Sequence, residues 1–209
     1  NSVECLEDGW CHDAFNLINV ILQPNNINFK YLDDEHKIIL SKSDKNSQIF
    51  VVISFACRDI RKAIIPSYIT RISSDSFCAC HQLELVEIHK DSMLNSIEKN
   101  AFCETLINYI FIPKHVLKIN KKCFRHIYNE LTIEFDDESE LLSIEDYAFC
   151  KSYINKISIP SHVKSIGTKS FHHCDNLTDI EFKFDSELLN IGFSSFYSSK
   201  ITTIVIPEH

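Results

Sequence analysis

Glycine is nearly missing from this chain: only Gly9, Gly167 and Gly192 occur in 209 residues. Loops that cradle phosphate need several glycines at fixed spacing, so the glycine-rich nucleotide motifs are excluded. No apolar run approaches the ~20 residues of a membrane-spanning helix. Cations are in deficit, 21 Lys and Arg against 29 Asp and Glu, for a net charge of −8. That balance argues against nucleic acid, whose phosphates require clustered Lys and Arg, and permits a basic partner. Asn1 is followed by no charged-then-apolar leader, and the chain reads as a piece excised from something longer. What remains, 44% apolar and 24% charged residues, suits an ordinary folded protein rather than a disordered or collagen-like one.

A repeat then dominates the reading. The dipeptide Ile-Pro stands at Ile65, Ile112, Ile159 and Ile206, 47 residues apart each time. Phenylalanine recurs at Phe55, Phe77, Phe102, Phe124, Phe149, Phe171 and Phe196, with intervals alternating between 22 and 25. Five residues before each lies another large apolar residue: Phe50, Ile72, Ile97, Ile119, Ile144, Ile166 and Ile191. The unit averages about 23 residues, inside the range of leucine-rich repeats. The expected fold is therefore an α/β repeat. It is a right-handed leucine-rich-repeat solenoid with a parallel β-sheet on the concave face and short helical or 3₁₀ turns on the convex side. One domain is expected over residues 1–209, with about eight repeats and both ends cut mid-repeat.

In the unit from Ile166 to Phe182, the stretch Ile166 to Phe171 reads as the convex turn and Leu177 to Phe182 as a short strand. Leu177, Ile180 and Phe182 point inward with Ile166 and Phe171. A lone unit cannot bury that face; stacked units bury it continuously. At the N-terminal end Leu17, Val20 and Leu22 match the strand positions, which places Cys11 at the Phe site and Leu6 at the Ile site. Between this unit and the next, 19 extra residues intervene. Residues 29–32 and 37–40 flank Asp33-Asp-Glu-His36, so a β-hairpin is expected within an insertion over residues 23–47. It either decorates a binding face or braces the solenoid edge.

In a solenoid the strand row is the usual binding surface, and the residue between two buried strand positions faces out. One outward row is Ile64, Glu87, Phe111, Glu134, Ser158, Glu181 and Val205. The parallel row is Lys62, Leu85, Tyr109, Thr132, Lys156, Asp179 and Thr203. Strands stack at ~4.8 Å, so Glu87, Glu134 and Glu181 recur with apolar residues between them. Such a stripe suits a protein partner, with Tyr109 and Phe111 as anchors. The plainer reading is a solvated sheet with isolated apolar residues.

Other features carry less. The acidic run Asp136-Asp-Glu-Ser-Glu140, echoed by Asp185-Ser-Glu187, lacks the order and glycine of a calcium loop and reads as a solvated loop. Most of the nine cysteines occupy repeat positions beside the Phe and suit small core residues. Cys57, Cys78, Cys80 and Cys103 come from three successive units. Cys78 could bridge Cys103 if their Cα atoms lie within ~7 Å, whereas zinc would need a tetrahedral set that repeat spacing does not supply. Unpaired thiols lean towards a reducing compartment. His115 and His162 share a repeat position. His172-His173-Cys174 lacks the orienting third group that a Cys–His nucleophile requires, so neither an enzyme nor a cofactor is expected. The sequon Asn176-Leu-Thr178 decides little, because Leu177 is expected in the core.

The phrases Ile159-Pro-Ser-His-Val-Lys-Ser-Ile-Gly-Thr-Lys-Ser-Phe171, Leu141-Leu-Ser-Ile-Glu-Asp-Tyr-Ala-Phe149 and Cys174-Asp-Asn-Leu-Thr-Asp-Ile180 resemble the BspA-like leucine-rich-repeat proteins, surface antigens of some bacteria and parasitic protists. The resemblance covers residues 3–207, the insertion excepted. It implies a non-enzymatic cell-surface or secreted protein that adheres to host surface, extracellular-matrix or neighbouring-cell proteins. It supplies no binding residue, since the family's shared residues are structural. An intracellular scaffold is the alternative, consistent with the free thiols.

Overall fold

The computed structural model describes residues 3–208. Three strands open the array: β1 (Phe29–Tyr31), β2 (Ile38–Lys42) and β3 (Phe50–Ala56). Two strands per coil then follow. The longer ones are β4 (Lys62–Ile65), β6 (Leu85–Ile88), β8 (Tyr109–Ile112), β10 (Thr132–Phe135), β12 (Lys156–Ile159) and β14 (Asp179–Phe182). The two-residue strands are β5 (Arg71–Ile72), β7 (Ser96–Ile97), β9 (Lys118–Ile119), β11 (Ser143–Ile144), β13 (Ser165–Ile166) and β15 (Asn190–Ile191). All pairs between coils are parallel and place like on like. Ala63 lies beside Val86, Ile110 beside Ile133, and Ile157 beside Ile180. Ile144 lies beside both Ile119 and Ile166. Pro66, Pro113 and Pro160 follow directly on β4, β8 and β12. Proline has no N–H to extend a ladder, and its carbonyl closes the next turn, as in Val116 N–H to Pro113 O at 3.1 Å.

The convex side corrects the expected α/β class with its helical or 3₁₀ turns: the array is a β-solenoid of parallel strands. Among the described residues there is no helix of any kind. The backbone gives the reason. Two residues before and two after each ladder phenylalanine, the chain enters the left-handed region: Asn100 and Glu104 around Phe102, Lys122 and His126 around Phe124, Tyr147 and Lys151 around Phe149, Lys169 and His173 around Phe171. A helix needs an unbroken right-handed run. The alternation instead turns every second N–H towards the next coil. Lys122, Phe124 and His126 donate to the carbonyls of Asp146, Ala148 and Cys150 at 3.2, 2.8 and 3.0 Å. The intervening N–H groups close turns three residues back, as in Cys123 N–H to Asn120 O.

Inside these turns Phe77, Phe102, Phe124, Phe149, Phe171 and Phe196 form one ladder of near-parallel rings, with successive centroids 5.1–5.6 Å apart. All but Phe196 are fully buried. Phe55 keeps the sequence spacing but not the geometry. It lies in extended β3, and its ring packs on Trp10 at 5.4 Å with the Arg58 guanidinium 4.9 Å from its centroid.

β1 pairs antiparallel with β2, β2 antiparallel with β3, and β3 parallel with β5. The inserted strands therefore extend the short-strand row by two, and they bury Ile38 and Leu40 against Ile53 at the end of the core. Before them, Gly9 and Asp13 adopt positive φ on either side of buried Cys11, the spacing found around each ladder phenylalanine. Arg58 holds this segment. Its buried guanidinium donates to the carbonyls of Ala14, Ala56, Asp75 and Ser76 at 3.0–3.3 Å.

Candidate binding face

The longer-strand row alternates inward and outward residues, because successive side chains of a strand leave opposite sides. Ala63, Ile65, Val86, Ile110 and Ile112 are buried; Lys62, Ile64, Leu85, Glu87 and Tyr109 are exposed. Phe111 is half-buried, as is Ser158, while Thr132, Glu134, Lys156, Asp179 and Glu181 are exposed. Ladder register puts these outward residues side by side: Lys62 next to Leu85, Ile64 next to Glu87, Tyr109 next to Thr132, Phe111 next to Glu134, Lys156 next to Asp179, Ser158 next to Glu181. Ile64, Leu85, Tyr109 and Phe111 thus form a diagonal apolar strip over adjacent strands. Val205 departs from the rows, as does Thr203. Residues 201–208 form no strand, and Val205 is 76% exposed.

Polar contacts fix parts of the strip. Lys62 Nζ lies 2.9 Å from Glu87 Oε1. The Tyr109 hydroxyl donates to Glu134 Oε2 at 2.7 Å. Burial, followed by this carboxylate, pushes the Tyr109 phenol up to about 12. Ser158 Oγ is buried and has no hydrogen-bond partner among the described residues.

Two concavities flank the strip, each walled by a segment outside the strand row. Towards the C-terminal end, Thr132, Lys156, Ser158, Asp179 and Glu181 floor a groove of 1010 Å³ walled by Val205 and Ile206. Towards the other end, Asp33, Asp34 and Glu35 of the β1–β2 loop face Lys62, Ile64 and Arg61 across 700 Å³. These three acids were not among the residues expected at the face. Their signal was a run of acids between two strands, but its placement depends on how the insertion folds back.

The acidic loops bind their own neighbours. Glu138 and Glu140 meet Lys114 and His115 at 2.7 and 3.1 Å, and one double repeat later Glu187 meets His162 at 2.8 Å. Lys114 holds Glu138 below the usual carboxylate range, and His162 does the same for Glu187. All nine cysteines carry free thiols, eight of them buried. Cys78 and Cys103 occupy the same register on neighbouring coils and share a small buried cluster. Among the described residues no group of three or more His, Cys, Asp or Glu is arranged to hold a metal, and no helix is long and apolar enough to cross a membrane.

Strand register, the phenylalanine ladder and the proline-closed turns together define one repeating coil, and it is the coil of a known family. The family described as "BspA type Leucine rich repeat region" matches residues 48–143 and 142–209 in six copies. The chain belongs to that family. Solved structures share the fold at low identity. A leucine-rich repeat protein from Eubacterium ventriosum aligns over 95% of this chain at 14% identity with a TM-score of 0.55. The Treponema (T. pallidum) leucine-rich repeat protein aligns over 85% at 16% with a TM-score of 0.53. The pneumococcal vaccine antigen PcpA aligns over 83% at 21% with a TM-score of 0.50. The chain covers 88% of the Treponema protein but only 57% and 42% of the other two. No curated protein matches it.

Proposed function

We propose that this BspA-type array is a non-catalytic protein-binding module of a cell-surface adhesin, contacting host surface or extracellular-matrix proteins through the longer-strand row. The observation that carries this reading is the apolar strip of exposed Ile64, Leu85 and Tyr109 with half-buried Phe111, bordered by Glu87 and Glu134. Contiguous exposed apolar area marks interaction surfaces, and aromatic anchors dominate their energetics. Thr132, Glu134, Lys156, Ser158, Asp179, Glu181 and Val205 then form the polar border of the same site. The partner is a folded protein presenting basic residues around an apolar patch, rather than nucleic acid. The description of a relative of this fold as a vaccine antigen fits exposure at a cell surface.

The test has two arms. Antibody labelling and protease shaving of intact cells should reach the full-length protein without permeabilisation. The purified chain should bind immobilised matrix proteins, and Phe111→Glu should weaken that binding at least about tenfold with melting unchanged. Labelling only after permeabilisation refutes the surface reading, and undiminished binding of the variant refutes the face. The eight buried free thiols support a second reading, an intracellular scaffold using the same face, which the first arm separates from the adhesin.

A further inference from the structure

Nine convex positions on three consecutive coils form a grid with no carboxylate in it. They are Lys122, Arg125 and His126; Tyr147, Cys150 and Lys151; and Lys169, His172 and His173. Each triplet sits two before, one after and two after its ladder phenylalanine, and those rings are 5.4 and 5.1 Å apart. The register is locked by cross-coil bonds, His126 N–H to Cys150 O at 3.0 Å and Lys151 N–H to His172 O at 2.8 Å. Four cations and three imidazoles therefore lie within roughly 10 Å along the stack, on a chain of net charge −8.

The contacts these cations make stay inside the grid: Lys169 Nζ lies 5.8 Å from the Tyr147 ring centroid, and Arg125 hydrogen-bonds Cys150. Among the described residues none of Lys122, Arg125, Lys151 or Lys169 pairs with a carboxylate, whereas Lys37, Lys62, Lys114 and Lys164 all do. The nearest acids keep to the margin. Glu104 stands 3.8 Å from His126, Asp175 stands 3.4 Å from His173, and Asp146 accepts the Thr168 N–H. The field they leave is felt locally. After burial, Arg125 and Lys151 push His126 down, and His173, Lys169 and Lys151 push His172 down. His126 Nε2 is buried without a partner.

We propose that this convex grid is a docking site for a sulfated glycan chain, separate from the longer-strand face and not dependent on the function assigned to that face. The partner must bring several anions within about two coil spacings, which a densely sulfated, flexible polymer does. A long rigid polyanion would meet the acidic remainder of the molecule. A bilayer would call for apolar wedges projecting among the cations; within the grid Tyr147 is half-buried against Lys169, and exposed Tyr197 is held at the edge in a stack on His172.

Heparin is the probe, titrated calorimetrically against the chain at low and physiological salt. Binding is expected, with steep loss at higher salt. Lys151→Glu with Lys169→Glu should weaken it at least about tenfold, while Lys45→Glu with Lys90→Glu, an equal change of charge at exposed sites elsewhere, should stay within about twofold. If the first pair fails to melt like the parent, Lys151→Gln with Lys169→Gln replaces it. Absence of heparin binding, equal loss in both pairs, or equal binding of desulfated heparin each overturns the proposal. Binding to phosphatidylserine vesicles without binding to heparin also overturns it and makes the grid a membrane contact.

Discussion

Removing one ring from the middle of the ladder tests whether the array folds as one body. Phe149 is fully buried, and its ring stacks on Phe124 at 5.4 Å and on Phe171 at 5.1 Å. Phe149→Ala removes the transfer free energy of the side chain and leaves a cavity that rigid neighbouring coils cannot fill, a loss of about 3–5 kcal/mol. Phe149→Leu retains most of the volume and forfeits the two ring contacts, each about 0.5–1.5 kcal/mol. Phe196 is half-buried and has one ring neighbour, Phe171 at 5.5 Å, so Phe196→Ala should cost about half as much as the interior truncation. Urea unfolding of the three variants measures these losses. It also reads the slope, which falls if the array separates into independently melting halves. The reasoning is refuted if Phe149→Ala costs no more than Phe196→Ala, since both would then be losing only local burial.

Three further outcomes follow from named contacts. Folded Tyr109 has a phenol raised to about 12; its contribution to stability is complete below the ordinary tyrosine value of about 10 and is lost as pH rises through the folded value. Burial raises the Tyr128 phenol as well, so ultraviolet titration should show late-ionising tyrosines of which Tyr109→Phe removes one; an unchanged profile contradicts the assignment. Arg58→Met withdraws charged donors from the carbonyls of Ala14, Ala56, Asp75 and Ser76 and should cost about 2 kcal/mol or more. It should also expose residues 9–17 to limited proteolysis before the rest, and uniform resistance contradicts the clamp. Glutathione disulfide should oxidise Cys78 and Cys103 to one bridge with release of two glutathione thiols, because the two side chains share one buried cluster and hydrogen-bond each other; peptide mapping that finds only mixed disulfides contradicts it.

The period was legible because burial acts on fixed positions: a coil that misplaces its Ile or Phe leaves a hole in both neighbours. Convex geometry was hidden for a chemical reason. Left-handed backbone usually announces itself through glycine, yet here Asn100, Lys122, Tyr147 and Lys169 adopt it. Their strain of about 1–2 kcal/mol per residue is offset by N–H groups that reach the next coil, a gain no single unit can display. Phe55 shows the reverse limit. It satisfies the spacing yet leaves the ladder, because pairing with β2 holds β3 extended. Alternation alone could place the outward residues of β4, β6, β8, β10, β12 and β14, but not show that residues 201–208, with Thr203 and Val205, leave the strand row. The Asp33, Asp34 and Glu35 wall could not, since it depends on where a folded insertion returns.

The residues that build a coil and those that could give it a partner occupy different positions, and that separation is what lets function be argued here at all. Phe149 and Ile144 are constrained by both neighbours, so their identity reports packing. Tyr109, Phe111, Lys151 and Lys169 are not members of the ring ladder, and their side chains reach the surface. A structural requirement explains neither an apolar diagonal on the strand row nor unpaired cations gathered on the convex side of an acidic chain. Like charges left unpaired repel one another. The convex cluster therefore costs the isolated protein stability, and an anionic partner would relieve that cost.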